Sequence, residues 1–241
     1  MTTSAAPLAG VRIVEIASFV AVPLAGMTLA QLGAEVIRVD PIGGGADYHR
    51  WPVADTGTSI YWSGLNKGVR SVAVDLRADA GQRLVQRLIA DAGVLITNVV
   101  GRQWHSYETL TGERADLIHV EVSGRGDGST GVDYTVNAAV GFPMVTGPAE
   151  HGGPINHVLP AWDVTCGLYV ALGVIAAVRR RDDSGAGGGS PWRWRTSRWR
   201  PPGRWGCSPS RWSTAPSGNA SATPSTANTA RRSPAATARR S

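Results

Sequence analysis

Short apolar segments alternate with amphipathic segments along the first three quarters of the chain. Strands are predicted where β-branched and other apolar residues run together, and helices where apolar residues recur every three to four positions. The predicted strands are residues 11–16, 35–39, 71–76, 94–97 and 117–122. The predicted helices are residues 21–32, 80–91, 133–145 and 164–178. Strands separated by helices are typical of a parallel sheet covered on both faces, so the pattern predicts an α/β fold.

The loops that follow these strands are where we expect a ligand, because open parallel sheets bind ligands beyond the carboxyl ends of their strands. One of these loops contains Gly43, Gly44 and Gly45, which suit either an anion-binding turn or a simple flexible turn. It lacks the Gly-Lys-Ser/Thr ending of a P-loop, and the loop after Ile16 lacks the G-x-G-x-x-G pattern. ATP and NAD binding through those two motifs is therefore disfavoured.

The composition changes abruptly at residue 184. The 241 residues carry 24 Lys and Arg against 18 Asp and Glu, a net charge of +6. Residues 184–241 hold ten Arg and no Lys, Asp or Glu, so residues 1–183 have a net charge of −4. The second part also has no Val, Ile, Leu, Met, Phe or Tyr with which to build a core. We therefore predict a folded part, residues 1–183, and a disordered low-complexity tail, residues 184–241.

Two interpretations of this tail are open, a frameshift and a nucleic-acid-binding segment. Ala, Gly, Pro and Arg make up 33 of its 58 residues, the composition expected of a GC-rich reading frame translated out of register. We thus expect a frameshift followed by premature termination, and a truncated remnant without activity is an alternative to a working enzyme. The interleaved Arg and Trp of residues 191–212 also suit nucleic-acid binding. Because the frameshift explains the same residues without selection, no nucleic-acid partner is expected.

Several other classes are disfavoured by the residues present. Cys166 and Cys207 are the only cysteines, which suits a reducing cytosol. The 19 uncharged residues between Glu15 and Glu35 are diluted by Pro, Gly and polar residues, so no membrane partner is expected. No signal peptide opens the chain, the five His lack metal-ligand spacing, and G-x-S-x-G is absent. We expect a cytoplasmic protein without a metal site.

One aspartate stands at the start of an apolar helix. Asp163 follows Pro160, which ends an extended segment, and it precedes the apolar run that includes Leu168 and Leu172. Two interpretations remain open. Asp163 is either an N-cap, whose carboxylate accepts the free N–H groups of the helix, or a carboxylate nucleophile that attacks activated acyl groups.

Several segments, in the same order along the chain, resemble the family III CoA-transferases (CaiB/BaiF type). These segments are residues 7–15, 32–41, 66–76, 96–98 and 163–167. The resemblance spans about residues 1–185 and implies the N-terminal part of that family's fold, a Rossmann-like parallel sheet with flanking helices. Asp163 lies in the segment that matches the one bearing the family's catalytic aspartate.

The resemblance implies an enzyme that moves CoA between carboxylates through a covalent intermediate on Asp163. Residues 19–31, 50–53, 133–137 and 156–163 look most like a member that moves CoA between the two carboxyl groups of one branched, unsaturated diacid. Transfer to a second carboxylic acid and racemisation of an acyl-CoA are the alternatives within the family. Backbone N–H groups at the helix start are candidate stabilisers of the charge that develops on oxygen.

The resemblance also implies the ligands and the residues that hold them. The expected substrates are an acyl-CoA thioester and a carboxylic acid, with no cofactor beyond the CoA moiety, and intact relatives are homodimers. The residues expected to line the CoA channel are Ser18, Val20, Ala21, Asn98 and Val99. The candidate phosphate partners are Lys67, Arg70 and Arg102. Val69 stands where the family has a further basic residue, and solvated surface charge is the alternative role for all three.

Overall fold

The computed structural model describes residues 6–124, 131–184 and 193–195, all of which lie in the unit Met1–Trp199. Its strands are β1 (Arg12–Ile16), β2 (Glu35–Asp40), β3 (Arg70–Ala73), β4 (Val94–Thr97), β5 (Ile118–Glu121) and β6 (Arg193–Arg195). Its α-helices are α1 (Ala21–Gln31), α2 (Ile60–Leu65), α3 (Asp79–Ala92), α4 (Tyr107–Thr111), α5 (Asp133–Ala139) and α6 (Ala161–Ser184). Short 3-10 turns lie at Gln103–His105, Phe142–Met144 and Ala149–His151.

The strands form one parallel sheet in the order β3-β2-β1-β4-β5-β6. The chain starts in the middle of the sheet, moves outwards through β2 and β3, and then crosses back to β4. The strand order therefore reverses between β1 and β4, which makes this the topological switch point of the sheet. The predicted parallel α/β fold is confirmed for the described part of the chain.

Helices cover both faces of the sheet. Helices α1 and α6 pack on one face, and the buried side chains there include Ile13, Val22, Leu29, Val36, Ile96, Val120, Val170 and Val174. Helices α3 and α4 cover the other face, with Val14, Ile16, Val39, Val85, Ile89, Leu95 and Leu110. Successive residues of β1 point to opposite faces, and burial on both sides explains its nearly continuous apolar run.

Helix α6 crosses close to the start of α1. A Cβ at Gly167 would lie 2.5 Å from the carbonyl oxygen of Ala21, so only glycine allows the two backbones to approach this closely. Helix α6 is long and apolar enough to cross a membrane, with a mean hydropathy of 1.7 over 18 residues. One face of it, which carries Val170 and Val174, is part of the core, while Leu168 and Leu172 are exposed.

Several elements differ from the sequence prediction. The helix predicted over 133–145 ends at Ala139, because Gly141 has a φ of +81° and a 3-10 turn that contains Pro143 follows at Phe142–Met144. Helix α6 is longer at both ends than the predicted 164–178. The strand predicted over 71–76 is shorter, since a turn closes between Asp75 and Ala78. The short helices α2 and α4, capped by Ser59 and Ser106, were not predicted.

The predicted boundary at residue 184 is not settled by these residues and stays a prediction. Within the predicted tail, the backbone of β6 pairs with β5. The rest of the predicted tail, including the proposed nucleic-acid segment apart from β6, lies outside the described residues.

Candidate functional site

The loops after β1 and β4 meet at the switch point of the sheet. The side-chain amide of Asn98 donates to the carbonyl of Ser18 over 2.9 Å, and the Ser18 N–H donates back to Asn98 Oδ1 over 3.2 Å. The Val99 N–H donates to the hydroxyl of Thr97, which itself donates to the carbonyl of Ile16. The structure thus brings together two predicted channel residues, Ser18 and Asn98, at the edge where ligands bind in such folds.

Between Ser18 and α1, Phe19 is held in an uncommon backbone conformation. It has a φ of +68°, which costs free energy for a residue with a Cβ. Its N–H donates to Asp47 Oδ2 over 3.0 Å, so Asp47 fixes the turn. The next residues, Val20 and Ala21, are buried where α1 begins.

Asp47 belongs to a group of buried charges that we call the Arg38 cluster: Glu15, Arg38, Asp40, Asp47 and Asn66. The guanidinium of Arg38 donates to Asp40 and Asn66 over 2.9 Å each and to both oxygens of Asp47 over 3.0 and 3.1 Å. A buried cation loses its hydration, so it needs hydrogen bonds and opposite charges around it, as Arg38 has here.

Glu15 completes the Arg38 cluster from the neighbouring strand. Its Oε1 lies 3.6 Å from Arg38 Nη1, too far for a hydrogen bond, and neither carboxyl oxygen has a hydrogen-bond partner within the described residues. Burial raises the pKa of Glu15 to about 7; Arg38 opposes the rise, and Asp40 and Asp47 add to it. A Cβ at Gly26 would overlap Oε2 of Glu15, so this glycine makes room for the carboxyl group.

The loop after β2 also carries Arg50. Its guanidinium lies 4.6 Å from the ring centre of Tyr61 and 5.6 Å from that of Phe19. Cation–π attraction at these distances holds the positive charge in place. The same charge favours the ionised forms of Tyr61 and of Asp163, whose pKa values it lowers against the opposing effect of burial.

Asp163 lies half-buried in the first turn of α6. Burial, with the nearby charge of Asp133, raises the pKa of its carboxyl group to about 6, and Arg50 opposes the rise. Asp163 does not cap its own helix. Asp133 Oδ2 instead accepts the N–H groups of Trp162 and Asp163 over 2.8 and 3.2 Å. The N-cap interpretation of Asp163 is therefore wrong, because a residue 30 positions earlier provides the cap.

The side chain of Trp162 is held by the same helix, α5. Asn137 Oδ1 accepts the indole N–H over 3.1 Å and lies 3.1 Å from Nε2 of His157. One turn after Asp163, burial and the charge of Asp163 raise the pKa of the Cys166 thiol to about 11. The thiol is therefore neutral near pH 7.

This arrangement combines a carboxylate of raised pKa, a nearby cation and a turn at the switch point. The model of a known family, CoA-transferase family III, matches residues 8–189. This chain belongs to CoA-transferase family III. The resemblance found in the ordered segments of the sequence is thereby confirmed.

Known proteins of this family give the same result. The chain is 55% identical over 185 residues to 2-methylfumaryl-CoA isomerase of Chloroflexus aurantiacus, a match that covers 75% of this chain and 45% of the relative. It is 32% identical over 197 residues to succinate–glutarate CoA-transferase of Agrobacterium fabrum, covering 75% and 49%. The chain therefore spans about half the length of these relatives.

Solved structures of the family share the fold. A CaiB/BaiF family protein from Brucella suis matches with a TM-score of 0.69 and 28% identity, covering 78% of this chain and 52% of the other. A hypothetical protein from Mycobacterium tuberculosis matches with a TM-score of 0.68 and 28% identity, covering 75% and 52%.

The three basic residues predicted as phosphate partners do not lie together. Lys67 is exposed in the loop before β3, and Arg70 pairs with Glu35 over 2.6 Å toward the amino ends of the strands. Arg102 follows β4 on the opposite edge, near His105, whose pKa is lowered mainly by burial. Their binding to CoA stays a prediction.

Close packing explains two of the three glycines after β2. A Cβ at Gly44 would lie 2.6 Å from the ring of Tyr48, and one at Gly45 would lie 2.9 Å from Asp47 Oδ1. In residues 6–124 and 131–184, no three His, Cys, Asp or Glu side chains form a group that could hold a metal ion.

Sequence reasoning missed the roles of Arg38, Asp47, Arg50 and Asp133. Arg38 carried a usable signal, because a charge in the middle of an apolar strand is buried and therefore needs partners. Asp133 was predicted only as the start of a helix and as part of the family-like segment 133–137, with no role of its own. Nothing in the local sequence indicates that it caps a different helix.

Proposed function

We propose that this chain moves CoA between carboxylates through a covalent intermediate on Asp163. We further propose 2-methylfumaryl-CoA, also called mesaconyl-CoA, as the substrate, with CoA moved from the C1 to the C4 carboxyl. The identity of 55% to 2-methylfumaryl-CoA isomerase supports this substrate. The observation that carries the proposal is the half-buried Asp163, whose pKa of about 6 makes it more basic than an ordinary carboxylate.

The reaction consists of two linked exchanges on Asp163. A carboxylate oxygen of Asp163 attacks the thioester carbonyl, the C–S bond breaks, and CoA leaves as a thiolate from the resulting mixed anhydride. The thiolate then attacks Cγ of Asp163, which displaces the diacid carboxylate and forms an aspartyl-CoA thioester while the diacid stays bound. The other carboxylate of the diacid attacks Cγ of this thioester, which expels the CoA thiolate and forms a second mixed anhydride. The thiolate then attacks the diacid carbonyl of that anhydride, which forms the new thioester and frees the Asp163 carboxylate. Because the thioester bond energy is conserved, we propose that no cofactor beyond CoA is needed.

Charge on oxygen develops in each of these attacks. Backbone N–H groups at the start of α6 were the expected stabilisers, but those of Trp162 and Asp163 already donate to Asp133. Arg50, held against two aromatic rings near Asp163, is the group we propose for this electrostatic role.

The pH dependence follows from the pKa of Asp163. The nucleophile must be ionised, so we expect activity to be largely present at pH 7 and to fall as the pH drops through about 6. We place CoA along the Ser18–Ala21 turn and the Asn98–Val99 loop, which meet at the switch point.

The experiment that tests this function is a CoA-transfer assay of the full chain with mesaconyl-CoA, followed by hydroxylamine trapping. We expect trapping to convert Asp163 to a hydroxamate, and Asp163→Asn to lower turnover by roughly a thousandfold or more. Asp55→Asn, in an exposed turn, is the matched control. Full turnover by Asp163→Asn would contradict the proposed nucleophile.

Transfer to a second acid is the second candidate, because a relative with 32% identity is a succinate–glutarate CoA-transferase. Adding ¹³C-labelled free mesaconate separates the two reactions. Intramolecular transfer leaves the label out of the thioester product, whereas intermolecular transfer incorporates it.

We also propose a cytoplasmic homodimer that needs neither a membrane nor a nucleic-acid partner. Membership of CoA-transferase family III supports this proposal. Sedimentation of the full chain tests the dimer. The out-of-frame origin of residues 184–241 stays a prediction from composition, and sequencing of both the gene and its transcript tests it.

A further inference from the structure

We propose that Asp133 is a positioning residue that fixes the location of Asp163 and acts on it through its negative charge. It fixes the first turn of α6 through two backbone hydrogen bonds, and its negative charge favours states in which Asp163 is acylated. The effect of this charge on the acylated states rests on the proposed function. The backbone hydrogen bonds to α6 and the effect of Asp133 on the pKa of Asp163 do not depend on it.

The capping geometry is the first support. Asp133 is only 4% exposed and is the first residue of α5. Its Oδ2 accepts the N–H groups of Trp162 and Asp163 over 2.8 and 3.2 Å. The residue before α6 is Pro160, which has no side-chain acceptor, so the helix needs a cap from elsewhere. Asp133 therefore ties the backbone of the nucleophile itself to α5.

Asn137 strengthens this connection one turn further along α5. It is fully buried, and its Oδ1 accepts the indole N–H of Trp162 over 3.1 Å. Helix α5 thus holds Trp162 by both its backbone and its side chain. Since Trp162 adjoins Asp163, rotation of the first turn of α6 would break hydrogen bonds at two positions of α5.

The charge of Asp133 is the second support. Its Oδ2 accepts two backbone N–H groups at the start of α6. Its other oxygen, Oδ1, is buried and has no hydrogen-bond partner within residues 6–124 and 131–184. Burial raises the pKa of Asp163, and the nearby charge of Asp133 adds to that rise.

Other groups also act on Asp163 or on its immediate neighbours. Arg50 favours its ionised form, Tyr61 on α2 and Cys166 on α6 interact with its charge, and Tyr134 and Asp47 act on Tyr61. Arg50 and Asp133 therefore oppose each other at the nucleophile. Removal of the charge of Asp133 leaves the cation unopposed.

This opposition has a consequence for the reaction. Free Asp163 is an anion beside Asp133, whereas the anhydride and the aspartyl thioester are neutral at that position. Repulsion from Asp133 raises the free energy of the state with free, ionised Asp163. It does not raise the free energy of the anhydride or of the aspartyl thioester. The charge thus shifts the equilibrium toward the covalent states while the cap keeps the carboxyl group in place.

The decisive variant is Asp133→Asn, which retains an oxygen acceptor of the same size and removes the charge. The pKa of Asp163 is followed by ¹³C NMR of γ-carboxyl-labelled aspartate in the full chain, with its signal assigned from Asp163→Asn. We expect the midpoint near pH 6 to fall by about one pH unit in Asp133→Asn and to stay unchanged in Asp55→Asn. An unmoved midpoint in Asp133→Asn would overturn the electrostatic role.

The capping role has its own readout, hydrogen exchange at the Trp162 and Asp163 amides. We expect exchange to accelerate about tenfold or more in Asp133→Ala, which has no acceptor, and to change little in Asp133→Asn. Unchanged exchange in Asp133→Ala would overturn the cap. If Asp133→Ala does not fold, Asp133→Ser, whose hydroxyl is one bond shorter than the carboxyl group, serves instead, and unchanged exchange in it would overturn the cap.

The effect on the covalent state is measured by trapping the aspartyl thioester with hydroxylamine in the native chain and in Asp133→Asn. We expect a several-fold lower trapped fraction in Asp133→Asn. If the native chain itself forms no adduct with mesaconyl-CoA, the proposed function fails, while the NMR and exchange results still decide the positioning role. An equal trapped fraction in both proteins would overturn the stabilisation of the covalent state.

Discussion

Two arginines near the carboxyl ends of β1 and β2 interact with carboxylates, and they do so in opposite surroundings. Arg38 is fully buried and is hydrogen-bonded to two carboxylates and an amide, with a third carboxylate 3.6 Å away. Arg50 is exposed, lies over the rings of Phe19 and Tyr61, and influences Asp163 without a hydrogen bond. In the first arrangement Asp40 and Asp47 are hydrogen-bonded to the cation, whereas in the second the cation lowers the pKa of Asp163 from a distance.

Asp47 links the two arrangements. It accepts hydrogen bonds from Arg38 and from the Phe19 N–H, so the buried cluster holds the turn on which Arg50 rests. Asp47 therefore belongs both to the buried Arg38 cluster and to the turn at Phe19, against whose ring Arg50 lies.

The largest effect is expected from loss of the buried cation. Arg38→Met leaves Glu15, Asp40 and Asp47 facing one another without compensation, and we expect the free energy of unfolding to fall by about 3–5 kcal/mol. Urea denaturation with an unchanged slope measures this loss. A loss below about 1 kcal/mol would show that the cluster is not what holds this part of the fold.

Glu15→Gln should change how stability depends on pH. The pKa of Glu15 is raised from its ordinary value of 4.5 to about 7, so the folded state retains a proton that the unfolded state releases between these values. The free energy of unfolding of the native chain should therefore fall with rising pH across this window, by up to about 3 kcal/mol. Glu15→Gln should lack this fall.

Urea unfolding at several pH values from 5 to 8 checks this expectation. Glu113→Gln, at an exposed position, is the matched control and should follow the native chain. Parallel curves for the native chain and Glu15→Gln would contradict a raised pKa at Glu15.

Arg50→Gln is expected to act on the reactive group rather than on stability. Loss of the cation removes a stabilisation of ionised Asp163, so its pKa should rise above about 6, by about half a pH unit to one pH unit. ¹³C NMR titration measures the change, which should shrink with added salt. Arg102→Gln is the control, and a midpoint that moves equally in both variants would argue against a specific effect of Arg50.

The smallest effect is expected at an exposed ion pair. Arg70 pairs with Glu35 over 2.6 Å, but their side chains are 76% and 40% exposed. Arg70→Gln should lower the free energy of unfolding by less than about 1 kcal/mol. Urea denaturation of Arg70→Gln and Arg38→Met under the same conditions compares the two losses in the free energy of unfolding. Equal losses in the two variants would contradict the importance of burial.

The framework of the fold follows from local sequence patterns. The strands at 11–16, 35–39 and 94–97 were predicted within one residue at each end, because apolar runs of that length are typical of buried strands. Helix α5 was predicted too long, since the break depends on how the backbone turns at Gly141 and Pro143. Short helices such as α2 contain too few turns to show a periodicity.

The sequence could point to a residue of the site only where the residue type and its local surroundings in the chain were informative enough. Asp163 was singled out from its place at the start of an apolar helix and from the family resemblance, and its catalytic role stays a prediction. The pairing of Asp133 with its backbone joins positions 30 residues apart through a loop, and no local pattern specifies such a contact. The raised pKa of Asp163 likewise depends on burial and on charges from α5 and the loop after β2.

Gly167 adds a constraint on how this enzyme family can be altered. A single methyl group there would meet the carbonyl of Ala21 and force α6 away from α1. The distance from Asp163 to the turn at Ser18 therefore depends on a position that has no side chain. Libraries built to change the acyl substrate should vary the loops around Asp163 and leave residue 167 as glycine.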